Sequence, residues 1–170
     1  MLHVPTDLQR ASPTAIGGVV LLAAAAVILA ALAFERIGGY VPCPLCLQQR
    51  YAYYGGIPAL AAALFLLRRG RTLPAAGILA LVGAAFLINA GLGVYQAGAE
   101  WKFWELPACD ASGGLQEIDL GKLNLGKTPI CGEASWRFLG LSFAGWNAVT
   151  SVALAAGALT AALKAVYSAR

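Results

Sequence analysis

Four cysteines are the residues of this chain whose type and spacing are best suited to chemistry. Cys43 and Cys46 enclose only Pro44 and Leu45, whereas Cys109 and Cys131 are separated by 21 intervening residues. A two-residue spacing lets a pair close a small, easily reduced disulfide, and attack by a neighbouring thiolate on that disulfide becomes a local event. Passing electrons between thiols is therefore the first reading. The same spacing also occurs in haem attachment and zinc sites. Haem is disfavoured because no histidine follows Cys46, and the one histidine, His3, is far from any cysteine, so a metal site would need all four sulfurs. A non-catalytic protein with structural disulfides or a four-cysteine zinc site stays open as the alternative, and four cysteines permit three pairings.

Cys46 should sit near the N-terminus of a helix, where unpaired amides and the helix dipole favour an anion. Arg50 lies four residues on, about one turn away. That arrangement should stabilise a Cys46 thiolate, improving both the leaving group and the supply of reactive anion. Arg50 could equally neutralise charge developing on a bound electron acceptor. Its plainer reading is an interfacial arginine reaching toward headgroups.

The elements that must position these groups belong in a membrane. Hydrophobic residues make up 59% of the 170-residue chain and charged residues 12%, against about 25% charged in ordinary soluble domains. Four segments approach the roughly 20 apolar residues that a helix needs to cross the hydrocarbon core: 15–34, 51–67, 73–95 and 141–163. The expected fold is an all-α membrane protein, a four-transmembrane-helix bundle in a single domain covering 1–170, with outer loops at 35–50 and 96–140. The second span is the shortest and contains Gly55, Gly56 and Pro58, which points to a kink or a close helix contact. Pro74 fits a first helical turn. The first span is read as retained, because its apolar run exceeds the roughly 7–15 residues of a signal-peptide core and only Arg10 precedes it as a firm positive charge.

Orientation follows from basic residues beside the spans. Arg68, Arg69 and Arg71 crowd the turn between the second and third spans, which should face the cytoplasm. Both termini then lie on that side with Arg10, Lys164 and Arg170, and all four cysteines lie outside. In a bacterium that is the periplasm, where disulfides persist. Arg36 and Arg50 run against the rule. The net charge of +4 comes largely from these anchors and gives no reason to expect a nucleic-acid partner. Nothing specifies a dimer contact, so a monomer is favoured.

The outer segment 96–140 is polar without being a charge run. Within it Leu115, Ile118, Leu120, Leu123 and Leu125 alternate with polar residues, suggesting an element on the bilayer surface. Trp101, Phe103, Trp104, Trp136 and Trp146 read as an interfacial aromatic belt without chemistry of their own.

These residues together resemble one family. The run Cys43-Pro44-Leu45-Cys46-Leu47-Gln48-Gln49-Arg50 before the second span is one part of the pattern, and Cys109 with Cys131 in a long second outer loop is another. Trp136-Arg137-Phe138-Leu139-Gly140-Leu141-Ser142 leads into the fourth span with Trp146-Asn147, and the whole is similar to DsbB, the bacterial disulfide bond formation protein B. The resemblance extends from the first span through the fourth. It implies an inner-membrane four-helix bundle that reoxidises the periplasmic thiol oxidase DsbA and delivers the electrons to ubiquinone or menaquinone. By the same resemblance Cys109 would be attacked by reduced DsbA with Cys131 as leaving group, and Cys131 would then attack the Cys43–Cys46 disulfide. Cys46 would be the sulfur nearest the quinone, Arg50 would polarise it, and Cys43 would close the disulfide again.

One position departs from the family pattern. Many members carry a histidine near the outer end of the third span, where this chain has Gln96. Glutamine can donate a hydrogen bond to a quinone oxygen but cannot deliver a proton as an acid. Glu100 could take that role, although it reads first as a solvated outer-loop carboxylate.

Overall fold

The computed structural model describes residues 12–40, 42–104, 132, 134 and 136–169. Cys109, Cys131 and the alternating stretch from Leu115 to Leu125 lie outside the described residues.

Three of the four described helices are opened by a residue whose side chain caps the first turn; the helix that follows Arg71 has no such cap. Helix α1 (Pro13–Arg36) starts behind Ser12, whose hydroxyl accepts from the Ala15 amide at 3.2 Å. Helix α2 (Pro44–Arg68) starts behind Cys43, whose sulfur accepts from the Cys46 amide at 3.2 Å. Proline at the first helical position suits both, since its missing N–H would be unpaired there anyway. Helix α3 (Thr72–Glu100) follows the arginine turn. Helix α4 (Phe143–Tyr167) is capped by Ser142, which accepts from the Gly145 amide at 3.2 Å.

Helices α1, α3 and α4 are long and apolar enough to cross a membrane. Helix α2 has the length, at 25 residues, but its tyrosines, Gln48, Gln49 and Pro58 make it more polar. The helices also outrun the expected spans: α2 begins at Pro44 rather than 51, and α3 continues to Glu100 rather than ending at 95. At about 1.5 Å per residue, the 29 residues of α3 exceed a core about 30 Å thick. Helical hydrogen bonding therefore carries on past the apolar run, and residues expected in loops become the last turn of α3 and the first turn of α2.

The helices pack in a ring, each against its sequence neighbours, and α4 closes the ring on α1. Val20, Ala24, Leu60, Leu79, Val82, Phe86, Ala155 and Ala158 fill the centre. Two glycines allow close approach. A Cβ on Gly56 would lie 3.3 Å from the Phe86 ring, and one on Gly93 would lie 3.0 Å from the Ala144 carbonyl oxygen. The sequence had anticipated a kink or a close contact around Pro58; the helix runs through Pro58 and the close contact is at Gly56. Large side chains such as Leu22, Leu81 and Ile88 point outward, as a lipid-facing surface requires.

A small hairpin not foreseen in the sequence precedes α4. Strand β1 (Arg137–Phe138) pairs antiparallel with β2 (Leu141–Ser142), with Arg137 opposite Ser142. Leu139 and Gly140 both adopt positive φ, as a two-residue hairpin turn requires. The hairpin lies at the same end of the bundle as Cys43 and Cys46, and the arginine turn lies at the other.

Candidate functional site

The start of α2, the ends of α1 and α3, and the hairpin with the start of α4 converge on one end of the bundle. Between them lies a cavity of about 300 Å³, and Cys46, Arg50 and Gln96 all line it, as do Glu35, Gln49 and Asn147. Its walls include Phe34, Trp136 and Phe143, whose rings pack against one another at 4.9 to 5.6 Å between centroids. Trp136 and Trp146 were expected only as interfacial anchors. Instead both line this cavity, while Trp101, Phe103 and Trp104 are exposed.

Cys43 is buried, Cys46 is partly buried, and both are free thiols. They lie ahead of the apolar run of α2, and their environments push them apart. Cys43 is raised, first because its thiol donates to Cys46 and then by burial. Cys46 is lowered to about 6, chiefly by that same hydrogen bond from Cys43, with Gln96 helping and burial opposing. One thiol keeps its proton so that the other can lose it. The sequence assigned this stabilisation to the helix terminus and Arg50. In the structure the Arg50 guanidinium is bonded to the carboxylate of Glu35 on α1, and the hydrogen bonds of Cys43 and Gln96 act on the sulfur.

Gln96 is 4% exposed and is held by a chain of side-chain hydrogen bonds that crosses the bundle. Tyr53 Oη donates to Asn147 Oδ1 at 2.8 Å, and Asn147 Nδ2 donates to Gln49 Oε1 at 2.6 Å. Gln49 Nε2 donates in turn to Gln96 Oε1 at 2.7 Å. The remaining group, Gln96 Nε2, then faces both sulfurs at 3.4 Å. Every donor in this series points toward the cysteines, so each bond polarises the next in the same sense. Deeper in the bundle Asn89 Nδ2 donates to Ser151 Oγ at 2.9 Å.

Glu100 is only 8% exposed. The reading of Glu100 as a solvated loop carboxylate is thus overturned, because α3 carries it one helical turn beyond Gln96 and the hairpin covers it. Gln96 Nε2 lies 3.5 Å from Glu100 Oε1, and Arg137 Nη2 donates to the Glu100 backbone carbonyl at 3.3 Å. The sequence reading also passed over Glu35, Gln49, Tyr53 and Asn147 as site residues. The available signal was their polarity at the edge of, or inside, apolar runs, where a polar side chain is costly unless it has a partner.

The family model for disulfide bond formation protein DsbB matches residues 13–161. This chain belongs to the DsbB family. A disulfide bond formation protein B from Marinobacter nauticus is 34% identical over 145 residues, covering 78% of this chain and 81% of that protein. One from Methylococcus capsulatus is 35% identical over 148 residues, covering 79% and 85%. One from Stutzerimonas stutzeri is 30% identical over 161 residues, covering 87% and 93%. No solved structure matches the chain. The DsbB resemblance and the helical membrane fold read from the sequence both stand.

Proposed function

We propose that this chain is an inner-membrane, DsbB-type protein-disulfide oxidoreductase. It reoxidises a DsbA-like periplasmic thiol oxidase by disulfide exchange and passes the electrons to a membrane quinone, ubiquinone or menaquinone. The observation that carries this reading is the placement of Cys46, a thiol lowered to about 6 on the wall of a cavity lined by aromatic rings and amide donors.

The residues present fit a quinone head group. Ring faces on Phe34, Trp136 and Phe143 suit a flat apolar molecule, and N–H groups of Arg50 and Gln96 are the donors its carbonyl oxygens require. A bound quinone supplies a two-electron, two-proton acceptor. Arg50 is oriented by Glu35 and places positive charge where negative charge would gather. Gln96, fixed through its oxygen by Gln49, directs its N–H groups to the sulfur side of the cavity.

The surroundings of the two sulfurs support a division of parts between them. In a mixed disulfide Cys43 has no proton to donate, but the Gln96 N–H groups still face Cys46 at 3.4 Å, and a stabilised thiolate leaves more readily. When a thiolate attacks the Cys43–Cys46 disulfide, the new sulfur–sulfur bond forms at Cys43 and Cys46 departs as thiolate into the cavity. Cys131 is the attacking group in this scheme, and Cys109 with Cys131 exchanges with the oxidase. All of this requires the cysteine end to face the periplasm, the arginine turn and both termini to face the cytoplasm, and α2 to cross with the other three helices in one monomeric domain.

Purified protein supplied with ubiquinone and a reduced DsbA-like oxidase should consume quinone, and Cys46→Ser should abolish turnover while leaving the detergent-solubilised bundle folded. Turnover that survives Cys46→Ser removes the enzyme reading. Stoichiometric zinc in freshly purified protein would favour the non-catalytic alternative.

A further inference from the structure

Among the described residues, the buried side-chain nitrogen and oxygen atoms have hydrogen-bond partners with one exception. Glu100 Oε2 is buried and has no hydrogen-bond partner among the described residues. Its other oxygen has the long 3.5 Å approach of Gln96 Nε2, and the help that Ser142 and the Arg137 charge give the carboxylate is outweighed by its burial. A buried carboxylate left in that condition is costly, whereas a carboxyl that gains and loses a proton can match its charge to its surroundings. The same Gln96 nitrogen lies 3.4 Å from Cys46 Sγ, and both Glu100 and Cys46 line the cavity. The carboxyl and the thiol are thus held on either side of one amide group, in a space from which much of the solvent is excluded.

We propose that Glu100 is the proton partner of Cys46, so that the two groups share a single negative charge. In the forward step the S–H bond of Cys46 breaks and an O–H bond forms on Glu100, giving a thiolate and a neutral carboxylic acid with no change in oxidation state. In the return step the proton goes back to sulfur. Glu100 thereby supplies the proton exchange that Gln96 cannot. The two anions disfavour each other, so the pair loses its first proton readily and its second reluctantly. Among the described residues, the other charged or titratable groups facing the cavity are Cys43, Arg50 and Tyr53 from α2, Glu35 from α1 and Tyr40 just beyond α1, with Arg137 from β1 beside Glu100. Arg50 is bonded to Glu35, and Arg137 reaches the Glu100 backbone carbonyl.

The inference rests on Cys46 being the working thiol, as in the proposed function, but its test needs neither quinone nor oxidase and so can fail separately. The full chain carrying Cys109→Ser and Cys131→Ser is reduced and alkylated with iodoacetamide across a pH series, and modification of Cys46 is read by peptide mass spectrometry. With Glu100 present, the rate should rise in two steps, broader than one ionisation. Glu100→Gln should lose the upper step and leave a single ionisation whose midpoint lies below that of the whole two-step rise, while Glu100→Asp keeps two. A merely structural role would scale the rates without changing the shape of the profile. An unchanged midpoint and shape in Glu100→Gln overturns the proposal. If Glu100→Gln does not fold, infrared difference spectra of the Glu100-containing protein decide. Alkylating Cys46 should shift the titration of a buried carboxyl band to lower pH, and a band that does not respond overturns the proposal equally.

Discussion

The two ends of this bundle are built on opposite principles. Toward the arginine turn, Leu60, Ala63, Leu79, Ala158 and Ala161 are fully buried and pack apolar surface on apolar surface. Toward the cysteines, Gln49, Gln96, Glu100 and Ser142 are buried beside a cavity. The first end gains its stability from close contact of small residues, as helices in lipid do. The second gives up close packing for a chain of amides whose donors all point at sulfur. Chemistry and cohesion are thereby divided along the length of the same helices, and substitutions at the two ends should fail in different ways.

The sharpest break in the comparison should come from Cys43→Ala. Removing the thiol that donates to Cys46 eliminates disulfide formation between the pair, so quinone consumption should fall at least about a hundredfold, while loss of the sulfur cap on α2 should cost only about 0.5–2 kcal/mol of stability. The same variant should reveal the source of the low Cys46 pKa. With Cys43 present, the Cys46 thiolate dominates above about pH 6 and is lost as pH falls through that value. In Cys43→Ala the midpoint of Cys46 alkylation should move upward, toward that of an ordinary thiol. An unmoved midpoint would show that the helix terminus or Arg50 is the true cause.

At the other extreme lies Phe86→Ala. Phe86 is fully buried, meets Tyr53 edge-on at 5.2 Å and fills the space left by Gly56. Its truncation should cost about 3–5 kcal/mol, as large-to-small core changes do, measured by unfolding in detergent, while the folded fraction keeps its alkylation profile. A smaller effect on both readouts is expected from Gln49→Leu. It leaves Gln96 Oε1 and Asn147 Nδ2 without their partners, a loss of about 1–3 kcal/mol. Freed from its anchor, Gln96 should hold the sulfurs less well, and the Cys46 midpoint should rise by less than in Cys43→Ala. If Gln49→Leu shifts the midpoint without altering stability, the amide chain tunes the thiol but does not help hold the bundle.

How much of this was legible beforehand differs between the same two ends. The apolar runs alone located the four described helices, because length and lack of charge suffice for an element that must satisfy its own backbone in lipid. Cys43, Cys46, Arg50 and Gln96 were also named from the sequence, and the structure brings them to one cavity. The pairing of Arg50 with Glu35 was not foreseen, since a contact between the end of one helix and the start of the next depends on how the chain turns between them. Glu100 was placed in solvent because the apolar run stops at Tyr95; only the continuing helix and the covering hairpin bury it. Gln49 and Asn147 entered the sequence reading only as members of the family pattern, and their meaning lies in the register that lines them up across α2, α3 and α4. Cys109 and Cys131, equally prominent in the sequence, fall outside the described residues, so their part remains the proposal made for them.

The central claim is that an electron-accepting quinone lies against Cys46 at the polar end. A photoactivatable ubiquinone analogue, crosslinked to the protein in membranes and mapped by peptide, tests it most directly. The label should fall on cavity segments, around Cys46 to Arg50 or Trp136 to Asn147, and excess ubiquinone should displace it. Label confined to outward faces such as Leu81 and Ile88, and indifferent to that excess, would contradict it.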